Sequence, residues 1–355
     1  MYKDNNTKTN KLQVLKDVNK QGNLIDWRGK KLDSIELSNS YIRLEMESKA
    51  ERTATCGDFL QFKEFLDTNK NPKLHKSNFC KVRLCPMCSW RRSLKLFGQV
   101  SQVMDYLEKN HNFRYLFLTL TVKNCYSEDF KETLDLMTKA FNKMTNRKDF
   151  KGSIKGYFRA LEVTYDSERF ITQEMYFKKL EYFKGLGLEI GDKNPNFDTY
   201  HPHFHIILAV NPSYFTDKNY YISQKEWGKV WGDCLGVDYD PIIDIRAVKN
   251  NNKKEVAEVA KYTVKSDDFL IKENGKINEL MTDKVVKTLD LGLHRKRLVS
   301  FGFIFKDIHK ELNLDDAIDG DLVHTDSEVE EIEGLNYVLV NYIFDKARRN
   351  YFKLN

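Results

Sequence analysis

The sequence predicts an α+β fold with a largely antiparallel central sheet flanked by helices. Five segments have the apolar character of strands, and helical patterns lie between them. Their spacing lacks the short regular period of a doubly wound parallel sheet, and no glycine-rich nucleotide turn follows any of them. No internal repeat is present. Antiparallel pairing is therefore the favoured arrangement.

The composition is that of a globular protein whose mildly basic charge favours a polyanionic partner. The 355 residues are 41% hydrophobic and carry a formal charge of +6, enough for a full core and mildly favourable for nucleic acid. The chain lacks an apolar run of about twenty residues that could span a bilayer, and its start is polar and lysine-rich. We therefore expect a cytoplasmic protein without a membrane partner.

Three regions follow one another along the chain. Residues 1–110 contain a polar lead, a largely helical stretch from residue 37, a cysteine cluster and a basic amphipathic helix. Residues 311–355 form an acidic and apolar appendage. Between them, residues 111–310 are predicted to form the central domain. Its strands and helices are expected in this order: strand 115–122, helix 128–147, strand 156–165, an excursion at 166–200, strand 203–210, helix 223–235, strand 240–248, a helix through 255–265 and strand 297–305.

The segment YHPHFHIILAV carries a candidate metal site. On a strand, His203 and His205 share one face while Phe204 points into the core. In LEVTY, the side chain of Glu162 points to the opposite face from its apolar neighbours. It is the candidate third ligand because a buried carboxylate needs a cation. His201 belongs to the same alternation but precedes Pro202, so it is either a ligand or a neighbour of the site. The alternative is a pair of polar positions on a half-exposed strand.

The segment EVAEVAKYTVK carries a candidate nucleophile. A helix would collect its valines on one face and leave Glu258, Tyr262 and Lys265 on the other. Tyr262 could attack phosphorus if a cation such as Lys265 stabilised the phenolate, and Glu258, one turn earlier, could accept a proton. The alternative is a solvated face with ordinary salt bridges.

The cysteines and nearby cations suggest two further sites. Cys85 and Cys88 form a compact chelating turn that Cys80 and Cys56 would complete as a structural zinc site, with His75 as the alternative fourth ligand. The alternative is a buried cluster of free thiols. DNA-backbone contacts are expected from the basic residues of this region and the nucleophile segment, Lys81, Arg83, Arg91, Arg92 and Lys261, unless they form a solvated basic surface.

Three motifs together resemble a known superfamily. FLTLT, HPHFHIILA and EVAKYTVK, in this order, resemble the motifs of the HUH endonucleases, and more narrowly the replication initiators of small rolling-circle plasmids of Gram-positive bacteria. NFCKVRLCPMCSWRRSLK is similar to the region that precedes the first motif in that family. The likeness covers roughly residues 50 to 310.

The resemblance implies sequence-specific nicking of plasmid origin DNA, double-stranded and single-stranded. Tyr262 would become linked to the 5′ end, His203 and His205 would bind Mg²⁺ or Mn²⁺, and Glu258 would activate water at termination. A host helicase and DNA polymerase are the implied partners, and a homo-oligomer is left open. The alternatives are a transposase or relaxase of the same chemistry, and a non-enzymatic zinc-containing DNA-binding regulator.

Overall fold

The computed structural model describes residues 13–19, 22–66, 68–248, 253–260, 264–325 and 335–354. The described helices are α1 Trp27–Arg43, α2 Glu47–Thr55, α3 Pro86–Asn110, α4 Phe130–Asn146, α5 Lys148–Ser153, α6 Gln173–Lys178, α7 Leu180–Gly185, α8 Gln224–Leu235, α9 Lys253–Val259, α10 Glu279–Gly292 and α11 Ile304–Glu311. The described strands are β1 Phe59–Phe65, β2 Lys73–Ser77, β3 Arg114–Thr121, β4 Ile154–Asp166, β5 Thr199–Val210, β6 Ile243–Ala247, β7 Lys272–Glu273, β8 Lys276–Ile277, β9 Val299–Phe303, β10 Tyr337–Asp345 and β11 Asn350–Lys353.

The central sheet is antiparallel throughout, as the sequence predicts. Its five strands follow the order β6-β3-β5-β4-β9, and every neighbouring pair runs in opposite directions. All five strands coincide with predicted strand segments, although β9 ends at Phe303 and α11 begins at Ile304. The predicted excursion between β4 and β5 contains the short helices α6 and α7.

Helices cover both faces of the central sheet because its strands are apolar on both sides. On one face, Phe204 packs against Phe141 of α4 and Trp231 of α8, which confirms its predicted inward orientation. On the other face, Ile207 shares a core cluster with residues of α3, α9 and α11, among them Val100, Val259 and Phe305. The histidines follow the alternation of Ile207 and therefore lie on this second face.

Strand β5 begins earlier than predicted. It starts at Thr199 and continues through Pro202, which pairs with Val163 of β4. Proline can occupy this position because the β3 ladder ends at the pair Thr121 and His203, one residue short of Pro202. Because Pro202 lies beyond the last pair with β3, its lack of an N–H removes no hydrogen bond from that ladder.

A second antiparallel sheet joins the two ends of the chain. Its order is β11-β10-β1-β2, so the C-terminal strands complete a sheet begun by the N-terminal region. The predicted largely helical character of residues 37–109 is therefore wrong over β1 and β2. Helix α1 also contacts α10, where Arg43 and Ser40 bind Asp283. The C-terminal strands β10 and β11 are thus part of the same sheet as the N-terminal strands β1 and β2.

None of the described helices combines the length and the apolar composition needed to cross a membrane.

Candidate active site

Two histidines and a glutamate meet on adjacent strands of the central sheet. His203 of β5 lies directly opposite Glu162 of β4 in the antiparallel ladder. His205, two residues further along β5, projects from the same face. Leu161 and Val163 project the other way into the core, as the sequence predicts. Glu162 is thus turned toward the histidines.

The three side chains fit around one divalent cation. The Nε2 atoms of His203 and His205 lie 3.1 Å apart. Glu162 Oε2 lies 2.9 Å from Nε2 of His205 and 3.4 Å from Nε2 of His203. Adjacent ligands of an octahedral ion with bonds of about 2.1 Å are about 3 Å apart. The set of two imidazoles and one carboxylate would leave coordination positions open for substrate oxygens.

Lys265 forms an ion pair with Glu162 at the edge of the site. Its Nζ atom lies 3.0 Å from Oε1 of Glu162, whose side chain is 7% exposed. Burial would raise the pKa of Glu162, but hydrogen bonds with His203 and His205 and the charge of Lys265 hold it well below its usual range. Burial would likewise lower the pKa of Lys265, yet contact with Glu162 raises it. The site therefore holds a carboxylate beside an ammonium group.

The segment after α9 differs from the predicted continuous helix. The helix ends at Val259, and Lys265 has extended backbone dihedrals, φ −81° and ψ 154°. Its backbone N–H donates to Asp268 Oδ2 at 3.2 Å, and burial raises the pKa of Asp268 to about 6. Lys265 therefore reaches Glu162 from a turn and not from the helix that carries Glu258.

Tyr262 and Lys261 lie outside the described residues. Their described chain neighbours lie close to the site: Ala260 shares the core cluster of Ile207, and Lys265 contacts Glu162. Glu258 is half-buried on α9, and its charge helps to raise the pKa of Lys265.

Thr119 is a site residue that the sequence reasoning did not name. It lies opposite His205 in the β3 ladder, and its Oγ1 atom is hydrogen-bonded to Nδ1 of His205 at 3.1 Å. On the other imidazole, Nδ1 of His203 donates to the carbonyl oxygen of His201 at 3.2 Å. Partners of this kind orient ligand rings. The alternation of FLTLT was the available signal, since it turns Thr119 toward the histidine face.

His201 lies beside the three-residue group and not within it. Its ring stacks on His203 with centroids 5.2 Å apart. Burial, together with the neighbouring His203 and Lys179, lowers the pKa of His201 to about 4. The ring is thus neutral at pH 7.

Four cysteines form a second group that could bind a metal. The sulfur atoms of Cys56, Cys80, Cys85 and Cys88 all lie within 4.8 Å of one another. Cys88 Sγ is 3.5 Å from Cys56 Sγ and 3.6 Å from Cys80 Sγ. Tetrahedral zinc with Zn–S bonds of about 2.3 Å requires sulfurs about 3.8 Å apart. The cluster fits such an ion closely.

Backbone donors support the same cluster. The N–H groups of Cys80, Lys81 and Val82 donate to Cys56, Cys88 and Cys80 sulfurs, respectively, at 3.2–3.4 Å. Donors of this kind stabilise the negative charge of thiolates. His75, the alternative fourth ligand, lies outside the group.

Arg91 and Arg92, which the sequence predicts to contact DNA, are buried within the protein. They are only 2% and 7% exposed. Arg91 donates to the carbonyl oxygens of Leu322 and Val323, and Arg92 donates to that of Ile318. The cationic face of α3 therefore binds the segment at residues 315–323, because buried guanidinium groups need acceptors.

Two other predicted DNA contacts also bind the chain itself. Arg83 is half-buried and donates to the carbonyl oxygens of Leu293 and Lys296 at 2.6 and 2.8 Å. Lys81 is exposed and donates to the carbonyl oxygen of Asp319 at 2.8 Å. Of these two residues, Lys81 is the more exposed.

Comparisons with known proteins point to one family. A family profile described as Replication protein matches residues 71–352. A relative named Protein rep from Streptococcus pneumoniae serotype 2 is 35% identical over 98% of this chain and 97% of its own length. Proteins named Protein rep from Bacillus amyloliquefaciens and Lactiplantibacillus plantarum are 36% and 33% identical, covering 94% and 96% of this chain and 95% and 99% of their own lengths.

No solved structure matches the chain, so the assignment comes from sequence. The matched region contains both histidines, Glu162 and Tyr262. The resemblance to plasmid replication initiators is confirmed at the level of the family. This chain belongs to the Rep family of replication proteins.

Proposed function

We propose that this protein initiates rolling-circle replication by nicking plasmid origin DNA at a metal-bound phosphodiester. The supporting observation is the group of Glu162, His203 and His205, held within 3.4 Å of one another beside the ammonium of Lys265. Membership of the replication-protein family supports DNA as the substrate. The cytoplasm, where plasmid DNA is found, is part of the same proposal.

Tyr262 is the proposed nucleophile. Its phenolic oxygen loses its proton to solvent and attacks the scissile phosphorus, the bond from phosphorus to the 3′ oxygen breaks, and that oxygen takes up one proton from solvent to become a 3′ hydroxyl. The tyrosine remains esterified to the 5′ phosphate. Connectivity supports this role, because Tyr262 is two residues from Ala260 and three from Lys265, and both neighbours lie on the face of the histidines.

Mg²⁺ or Mn²⁺ suits the proposed ligands and would polarise a phosphate oxygen when bound. Lys265 stabilises negative charge on the phenolate and on the phosphate oxygens. Thr119 holds the His205 ring in position. Glu258, half-buried on α9, is proposed to accept a proton from the water that ends the cycle by hydrolysing the phosphotyrosine.

The cysteine cluster is proposed to hold zinc in a structural role. Four thiolates with backbone donors form a closed set that leaves no position for substrate. The cluster lies next to β1 and α3 and would hold them together. Zinc here would contribute to the free energy of folding and not to cleavage.

The nucleophile assignment is tested by Tyr262→Phe. Purified protein with Mn²⁺ should convert supercoiled plasmid carrying its origin to nicked circles and remain attached to the 5′ end. The variant should lose nicking by a factor of at least about 10³ while its affinity for origin DNA stays within twofold. Nicking at the wild-type rate by the variant would refute the assignment, and binding without cleavage by the wild-type protein would favour a regulator.

The metal assignment has its own control. Replacing His203 and His205 by alanine should abolish both Mn²⁺ binding, measured by titration calorimetry, and nicking. His294→Ala changes an exposed histidine outside the site and should affect neither. Nicking that persists without the two histidines would exclude the metal site from the reaction.

A further inference from the structure

Among the described residues, the sheet β11-β10-β1-β2 has one face packed against the core and one face left uncovered. On the face against the core, Leu60 and Phe62 of β1 and Tyr342 of β10 are buried. Their alternating neighbours point outward, and among these Leu339 and Ile343 of β10 are 48% and 42% exposed. We call this open side the outer sheet face. It is distinct from the face of the central sheet that carries the metal ligands.

Aromatic rings lie at both ends of the outer sheet face. Phe65 of β1 lies opposite Tyr337 of β10, which is 44% exposed. Six residues away on β1, Phe59 lies opposite Ile343, which in turn lies opposite Phe352 of β11. At about 3.3 Å per residue, the two groups of rings are about 20 Å apart. None of the four rings belongs to either core cluster.

Lysines lie between the two groups of rings. Lys63 is opposite Lys73 on β2, and Lys76 is opposite Gln61. In the part of the chain that the structure describes, no carboxylate lies within ion-pair distance of these three lysines. Lys63 instead places its Nζ atom 4.5 Å from the ring centroid of Tyr337. Like charges on directly opposite residues destabilise a sheet, which indicates a use other than stability.

We propose that the outer sheet face binds single-stranded DNA. Lysines would neutralise phosphates, and the flanking rings would stack on unpaired bases, the two elements from which single-strand sites are built. A duplex fits this surface less well because its bases are already stacked on one another. The span of about 20 Å would accommodate several nucleotides. This site goes beyond the proposed nicking function, since it would hold unwound DNA away from the metal ligands.

The ring contribution is tested with a fluorescein-labelled dT12 oligonucleotide, measured by anisotropy on the full chain without added divalent cation. The double variant Phe65→Leu and Tyr337→Leu keeps apolar side chains on both strands but removes two stacking faces. We expect about tenfold weaker binding or more. Tyr221→Leu, at a tyrosine 53% exposed elsewhere, is the matched control and should leave dT12 affinity unchanged. Equal affinity of the double variant and the wild type would overturn the proposal.

The charge contribution has a separate readout that a folding defect would not mimic. Replacing Lys63, Lys73 and Lys76 by glutamine should reduce the slope of log affinity against log salt by about 2, since each single-strand phosphate contact contributes about 0.7. A control with the same loss of charge replaces the exposed lysines Lys139, Lys218 and Lys310. An unchanged slope in the first variant, or an equal change in the control, would refute the assignment.

Two further measurements distinguish a DNA site on the outer sheet face from binding at the metal site and from a subunit interface. Protein with His203 and His205 replaced by alanine should bind dT12 as the wild type does, and loss of binding would place the contact in the metal site and end the proposal. Sedimentation velocity of the Phe65 and Tyr337 double variant should match that of the wild type. Dissociation of an oligomer in this variant with dT12 affinity retained would mean that a second copy covers the face.

Discussion

Glu162 contacts Lys265 through one carboxylate oxygen and the histidine pair through the other. Oε1 lies 3.0 Å from the lysine Nζ, and Oε2 lies 2.9 Å from Nε2 of His205. The lysine and a bound cation would therefore share one carboxylate. Because both are positive, they compete for its charge, and the lysine should weaken metal binding while it assists the chemistry.

Lys265→Met tests that competition with two readouts that move in opposite directions. Affinity for Mn²⁺ should increase by about threefold or more, because a nearby positive charge is removed. The nicking rate at saturating Mn²⁺ should fall by about 100-fold, because the negative charge of the transition state loses a partner.

The matched control for this prediction is Lys284→Met. The side chain of Lys284 pairs with Asp198 and is 45% exposed, close to the 47% of the Lys265 side chain. It lies away from Glu162, His203 and His205. It should leave both readouts unchanged. A drop in both Mn²⁺ affinity and nicking rate for Lys265→Met would show instead that the lysine holds Glu162 in place.

Glu258→Ala should separate initiation from termination. Nicking should stay within about twofold of the wild-type rate, while hydrolysis of the phosphotyrosine slows by about 100-fold as general base catalysis is lost. The covalent adduct should therefore accumulate on denaturing gels. Glu132→Ala, at an exposed glutamate of α4, is the control. If nicking itself collapsed, Glu258 would have to act in the first step.

Loss of the proposed zinc, caused here by replacing one cysteine ligand, should unfold the region around the cysteines. We expect one zinc per chain by atomic absorption, lost on Cys85→Ser together with about 10 °C or more of melting temperature. Cys125→Ser changes a buried cysteine outside the group and should keep the zinc. A zinc content unchanged by Cys85→Ser would place the metal elsewhere.

Arg91→Ala should reduce stability and not DNA affinity. Two carbonyl oxygens, of Leu322 and Val323, lose their donor, which should lower the free energy of unfolding by about 2 to 4 kcal/mol in urea titrations. Affinity of the folded variant for duplex DNA should stay within twofold. Lys109→Ala, at an exposed position of the same helix, should change neither quantity. Weaker DNA binding at unchanged stability would mean that Arg91 contacts DNA after all.

The order and type of the central elements could be predicted because their patterns are local. The two-residue alternation of strand side chains predicts that Phe204 points inward and that both histidines lie on one face. Apolar segments likewise predict all five central strands. Helix α8 has both its predicted span and a local signal, a capping box between Ser223 and Glu226. None of these features needs a partner distant in the sequence.

Features that depend on distant partners could not be predicted. The partner of β1, strand β10, lies about 280 residues away, so the short alternating pattern of β1 does not by itself identify a strand. The acceptors of Arg91 lie 231 and 232 residues further on, and without them a basic helix resembles a DNA-binding surface.

Residue types and their periodicity were enough to propose a metal site, a cysteine cluster and the antiparallel class. Tertiary structure decided which groups meet: Glu162 opposite His203, Thr119 behind His205, Cys56 in place of His75, and Lys265 reaching Glu162 from a turn. The physical reason is that strand alternation is set by bonds between neighbouring residues, whereas register, burial and charge pairing are set by chain segments that meet only in the folded state.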